Sequence, residues 1–177
     1  MGVACFEING NLADADGVPY FNSFKNTICS VWRLFESVFG IELMSRIPLY
    51  IDNARAKSGR TPMCTLVLGR YIVIKLGVDS GLDTARIIYQ FAHELMHFTM
   101  HCYYGMSKQH VTKEEEAVCV AASLLALKEL NADVLEDYIA DLRNSPGYAD
   151  GVAVGESCGY DWQQLRCLAL QLYPWSM

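Results

Sequence analysis

The sequence is short of charge, of histidine and of long apolar runs, and each shortage excludes something. Charged residues make up 19% of the 177, against 52% hydrophobic, so the chain reads as globular rather than disordered, and long enough for a real core. Basic residues are outnumbered, 14 to 20, for a formal net charge of −6. That balance excludes a broad nucleic-acid-binding surface, which needs a basic patch. No apolar run approaches the ~20 residues that span a bilayer; the longest lies near Val118–Leu127, and no membrane association is expected. Met1–Glu7 lacks a basic n-region and an extended apolar stretch, so it does not read as a signal peptide. It opens Met-Gly, but Phe6 fills the place where a myristoylation signal wants Ser or Thr. The seven cysteines are odd in number and contain no C-x-x-C pair, which predicts reduced thiols and a cytoplasmic protein. With no internal repeat and no composition break, residues 1–177 are expected to form one domain.

The histidines carry the first positive signal. There are four, and all fall in one segment: His93, His97, His101 and His110. His93-Glu94-Leu95-Met96-His97 is an H-E-x-x-H sequence inside a run of helical character from about Thr84 to His101. Positions four apart lie one turn above each other on a helix, so His93 and His97 can present two imidazoles to one ion. Glu94 is the next residue round, close enough to reach a water on that ion without being a ligand. Two histidines, a non-ligating carboxylate and an open coordination position are what a hydrolytic zinc site needs.

A third ligand should come from downstream. Counting from His97, Glu116 completes H-E-x-x-H-x18-E, the spacing of Glu-ligand zincins. It opens the run Ala117–Leu127, apolar nearly all round and so predicted to be a central, buried helix. A carboxylate at the mouth of a buried helix needs a partner, and a divalent metal is a good one. Lys113-Glu114-Glu115-Glu116 supplies three candidates, any of which could instead favour the helix N-terminus through the dipole. Helical phase does not choose among them; spacing favours Glu116, then Glu115, then Glu114. Two other donor sets are conceivable. One is three-histidine, His93, His97 and His101; the other is structural, from His97, His101, Cys102 and Cys119. The first strains the reach of one ion, and the second leaves Glu94 without a role.

Gln90–His101, followed by Glu114-Glu115-Glu116-Ala117 and Ala121–Leu125, resembles the ImmA/IrrE group of metallopeptidases. That family shows A-H-E-L-G-H with a further His four residues on, then E-A-[N/D]-x-F-A-A-x-L-L-M-P on the next helix. The likeness covers roughly the middle third of the chain. It implies a zincin-type α+β fold, with a small antiparallel or mixed sheet on the active-site helix and a second buried helix bearing the Glu. It implies Zn2+ bound by His93, His97 and Glu116, with Glu94 as catalytic acid/base. It also implies a protein substrate, and family members include proteases acting on DNA-binding repressors. The chain departs at Met96 for Gly, Val118 for Asn or Asp, Val120 for Phe, and Ala126-Leu127 for Met-Pro. Losing the polar residue at 118 removes a group that could orient a ligand. The competing expectation is a zinc-binding regulatory protein of the same fold that recognises a partner without cutting it.

The remaining elements are read around that centre. Residues 7–20 read as loop. Phe24, Ile28, Val31, Phe35, Val38 and Phe39 predict a helix stopped by Gly40 and packed on the back of the sheet. Ile47–Ile51 reads as a strand, which Pro48 should place at an edge. Asp52–Pro62 is a polar loop with Arg55, Lys57 and Arg60, the tip of which could meet an acidic substrate. Thr65–Leu68 and Tyr71–Lys75 flank Gly69-Arg70 as a hairpin with a two-residue type II′ turn. One of its strands is the candidate edge for an extended substrate. Asp83 should cap the active-site helix and Thr112 or Lys113 should open the next. The connecting loop offers Tyr103, Tyr104 and His110 as oxyanion donors; His101 is a candidate for supporting a ligand or capping the helix. A helix at about Val134–Arg143, a long Gly- and Ser-rich loop over 144–160 and a final helix capped by Asp161 with Gln164 complete the reading.

Overall fold

The computed structural model describes residues 6–8, 18–53, 62–78, 80–105 and 111–172. The fold is α+β. A four-stranded mixed sheet comprises β1 (Phe6–Ile8), β2 (Leu49–Asn53), β3 (Met63–Val67) and β4 (Tyr71–Leu76). Its order is β1-β2-β4-β3, with β1/β2 and β2/β4 parallel and β3/β4 antiparallel. Register pairs Leu49 with Ile72 and Ile51 with Ile74, which gathers four buried side chains on one face. The helices are α1 (Val18–Phe39), α2 (Ile41–Met44), α3 (Thr84–Tyr104), α4 (Lys113–Leu130), α5 (Leu135–Arg143), α6 (Ala149–Ser157) and α7 (Trp162–Ala169). A 3-10 turn at Ala132–Val134 leads into α5. No helix of the described residues is long and apolar enough to cross a membrane.

Helix α3 is the hub. It packs on β3 and β4 on one side and on α1, α2 and α4 on the others. Gln90 ties it to the sheet: its Oε1 accepts from the N–H of Gly77 at 2.9 Å, and its Nε2 donates to the Gly77 carbonyl at 3.4 Å. Asp83 caps the helix as its position predicts, accepting from the Arg86 N–H at 3.1 Å. Helix α4 lies behind it and is buried continuously from Ala117 to Leu127, as an all-round apolar run requires.

Several expectations need correction. β2 is interior, not an edge: Pro48 precedes the strand, so no ladder donor is lost, and its carbonyl accepts from the Ile72 N–H at 3.0 Å. A short strand, β1, overlaps the start of the stretch read as N-terminal loop, and α1 already begins at Val18; three residues are too few for a periodic signal. The main neighbour of α1 is α3 rather than the sheet, with Trp32 and Phe98 rings 6.0 Å apart. The hairpin turn is centred one residue earlier than a II′ turn would be. Leu68 (φ 53°) and Gly69 (φ 64°) are both left-handed, and the Arg70 N–H closes on the Val67 carbonyl at 3.0 Å. Positive φ at both central residues matches the I′ class.

The largest correction is at 144–160, where α6 replaces the expected loop. Its glycines serve packing rather than turning. A Cβ on Gly151 would lie 2.3 Å from the Val120 Cβ, and one on Gly155 would lie 2.8 Å from Tyr160 Cε1. The backbone of α6 therefore seats directly on α4 and on the turn that follows it. The basic tip at Arg55, Lys57 and Arg60 falls outside the described residues.

Candidate functional site

The site forms where the middle of α3 faces the first turn of α4. Thr112 starts α4 by accepting from the Glu115 N–H at 3.2 Å, which fixes the phase of the three glutamates. That phase separates them. Glu114 is exposed, and hydrogen bonding at the helix start, from its own backbone and then Thr112, holds its carboxyl below the usual range. Glu115 is fully buried and its Oε1 lies 2.7 Å from His97 Nδ1. Glu116 turns to the other side of the ring: Oε2 is 3.2 Å from His93 Nε2 and Oε1 is 3.5 Å from His97 Nε2.

One donor set thus comprises His93, His97 and Glu116, all within 4.8 Å of one another, with the two rings 5.1 Å apart. A second gathers His97, Glu115 and Cys119, whose Sγ is 3.4 Å from His97 Nδ1. The second is wholly buried, whereas His93 and Glu116 keep some exposure and His93 borders a cleft. The two sets also divide the same ring. A carboxylate at Nδ1 holds the proton there and leaves the Nε2 lone pair for a cation. The Glu115 contact therefore orients His97 toward the first set. Neither the three-histidine set nor the His97, His101, Cys102, Cys119 set is gathered among the described residues.

The electrostatics follow the geometry. Hydrogen bonds from His93 and then His97 hold the Glu116 carboxyl well below the usual carboxylate range. Burial of itself opposes charge on His97, but Cys119, Glu115 and Glu116 outweigh it and hold the ring above the usual imidazole range. A cation at Nε2 displaces a proton there, so occupancy is tied to pH. Burial pushes the Cys119 thiol up to about 11, despite His97 beside it. Glu94 is buried next to the group, with its carboxyl raised by burial against the opposing pull of His93 and His97. The backbone N–H of Cys64 in β3 donates to that carboxylate, which joins the sheet edge to the site.

The loop donors expected from the sequence are not brought in. The Tyr104 hydroxyl donates to the Ala169 carbonyl at 3.0 Å, and Tyr103 lines a separate hollow with Arg46 and Arg166. His101 sits in the last turn of α3, where its carbonyl accepts from the Gly105 N–H. His110 lies outside the described residues.

Other residues take that place unannounced. A cleft of about 410 Å³ opens beside His93 and Glu94, walled by Pro62, Tyr89, Tyr138, Leu142 and Tyr148, with Arg86, Gln90 and Asp141 also on its lining. Tyr89 had a legible signal, since it stands four residues before His93 on the same helix face. Tyr138 and Tyr148 had none, because their approach depends on how α5 and α6 pack against α4.

No protein-family model, curated protein sequence or solved structure matches the chain.

Proposed function

We propose that the protein is a zinc-dependent metallopeptidase of zincin-like architecture that hydrolyses a peptide bond in a protein substrate. The observation that carries this reading is the convergence of His93 Nε2, His97 Nε2 and the Glu116 carboxylate beside a buried, non-ligating Glu94. Two imidazoles and one carboxylate are a donor set suited to zinc in hydrolytic enzymes. When bound, zinc supplies Lewis acidity, making a water more acidic and polarising a carbonyl.

The chain's own groups do the rest. Glu115 holds His97 in one orientation through Nδ1. Glu94 accepts a proton from the attacking water and returns it to the departing amine, a role suited to a carboxylate raised by burial. β3 lies at the end of the sheet beside Glu94, where an extended peptide can add by backbone hydrogen bonding. The resemblance to ImmA/IrrE metallopeptidases supports an intracellular protein substrate such as a DNA-binding repressor, and a cytoplasmic location.

Elemental analysis of wild type and Glu116→Ala, purified without chelators, tests the centre. About one zinc per wild-type chain and much less in the variant is expected. Equal zinc in both, or none in wild type after resupply, overturns it. Glu94→Gln tests the chemistry: it should retain metal and lose hydrolysis. Partner binding unaffected by that change, with no cleavage of the partner by wild type, would favour a non-cleaving regulator.

A further inference from the structure

His93 and Glu94 line part of a cleft whose other walls the hydrolytic chemistry does not use. Three of its lining side chains are tyrosines, Tyr89, Tyr138 and Tyr148, and Leu142 and Pro62 add apolar surface. The Tyr89 and Tyr138 rings are 5.3 Å apart and tilted by 36°, which leaves ring edges and faces for a further ring. The ionisable groups on the lining are Arg86 and Asp141, together with His93 and Glu94 of the site. The Tyr89 hydroxyl is buried with no hydrogen-bond partner among the described residues. That hydroxyl is closed off from solvent, so Tyr89 contributes ring surface to the cleft rather than a donor.

Position narrows the occupant further. Pro62 immediately precedes β3, and His93 and Glu94 stand at the other wall. A peptide strand added to β3 would therefore run past Glu94 and along the mouth of the cleft. At about 410 Å³ the cleft has more room than a short aliphatic side chain fills.

We propose that this cleft receives the side chain of a substrate residue next to the scissile bond and selects an aromatic one, packed against the rings of Tyr89, Tyr138 and Tyr148. The proposal rests on the metallopeptidase reading for the words "scissile bond"; the aromatic pocket stands without it.

The test uses blocked hexapeptides in which each position in turn is Phe, Leu, Ala, Lys or Glu. Binding to zinc-loaded and zinc-free Glu94→Gln protein is measured by calorimetry, and cleavage by wild type is followed separately by mass spectrometry. At one position Phe should bind about 10–100-fold tighter than Ala, with Lys and Glu no better than Ala. Leu142→Trp, which fills the cleft, and Tyr148→Ala, which removes an exposed wall, should each erase that preference. Tyr89→Phe, which keeps the ring, should keep that preference. Circular dichroism and zinc content should be unchanged in these variants, which separates loss of the pocket from loss of the fold. Equal affinity for Phe and Ala at every position, a preference for a charged residue, or no binding at all overturns the proposal. Cleavage without selectivity would overturn it and leave the peptidase standing. Selective binding without cleavage would keep the aromatic pocket and remove the peptidase.

Discussion

The first turn of α4 and the body of the same helix meet their neighbours by opposite means. At the head, two adjacent glutamates make directional contacts to two histidines of α3, Glu115 at 2.7 Å and Glu116 at 3.2 and 3.5 Å. In the body, Val118 to Leu127 are buried without relying on charge, and Val120 fits where Gly151 of α6 has no side chain. The head depends on where an oxygen points; the body depends on how much volume is present. Damage to one should therefore change chemistry at nearly constant stability, and damage to the other the reverse. Glu115 belongs to both, being fully buried and paired with His97.

The largest effect should come from Glu94→Gln, which touches only the chemistry. We expect kcat to fall by ~10²–10⁴ with zinc content and melting temperature retained, measured on any peptide the wild type cleaves. Glu115→Ala should couple the two regions. Removing one partner of a buried pair should cost about 3 kcal/mol in urea unfolding, and zinc affinity should fall ~10–100-fold in a chelator competition. Equal zinc affinity would show that Glu115 does not orient His97. Gly151→Ala should damage the body alone. A methyl group directed at Val120 should destabilise by ~1–3 kcal/mol while zinc affinity stays at the wild-type value. Glu116→Ala is the sharpest contrast with Glu115→Ala. Its side chain is 46% exposed, so the zinc-free variant should unfold within ~0.5 kcal/mol of wild type even though it loses zinc. A large stability loss there would erase the distinction between the neighbouring glutamates.

Much of the site was legible in the residues. The i, i+4 spacing of His93 and His97 places both on one helix face, and both rings are found together. Asp83, Thr112 and Asp161 each cap a helix as their side chains and positions suggest. At Asp161 only half of the expected capping box forms. Its carboxylate accepts from the Gln164 N–H at 2.9 Å, while its own N–H goes to the Cys158 carbonyl. The segment 144–160 was misleading because glycine signals conformational freedom in isolation, whereas Gly151 and Gly155 serve close contact between helices. The same limit hid Tyr138 and Tyr148 from the reading of the cleft, and it made Tyr103 and Tyr104 look closer to the chemistry than they are.

What the sequence determined by itself are the local quantities: helix phase at His93 and His97, the caps, and the apolar body that buries α4. These depend on residues within a turn or two of each other, so short-range sterics and hydrogen bonding suffice. Tertiary structure alone decided which glutamate meets which nitrogen. Glu115 and Glu116 differ by one position and about 100° of helix phase, and every face below them is apolar. Only the seating of α4 against α3 converts that rotation into one carboxylate behind His97 and one in front of it.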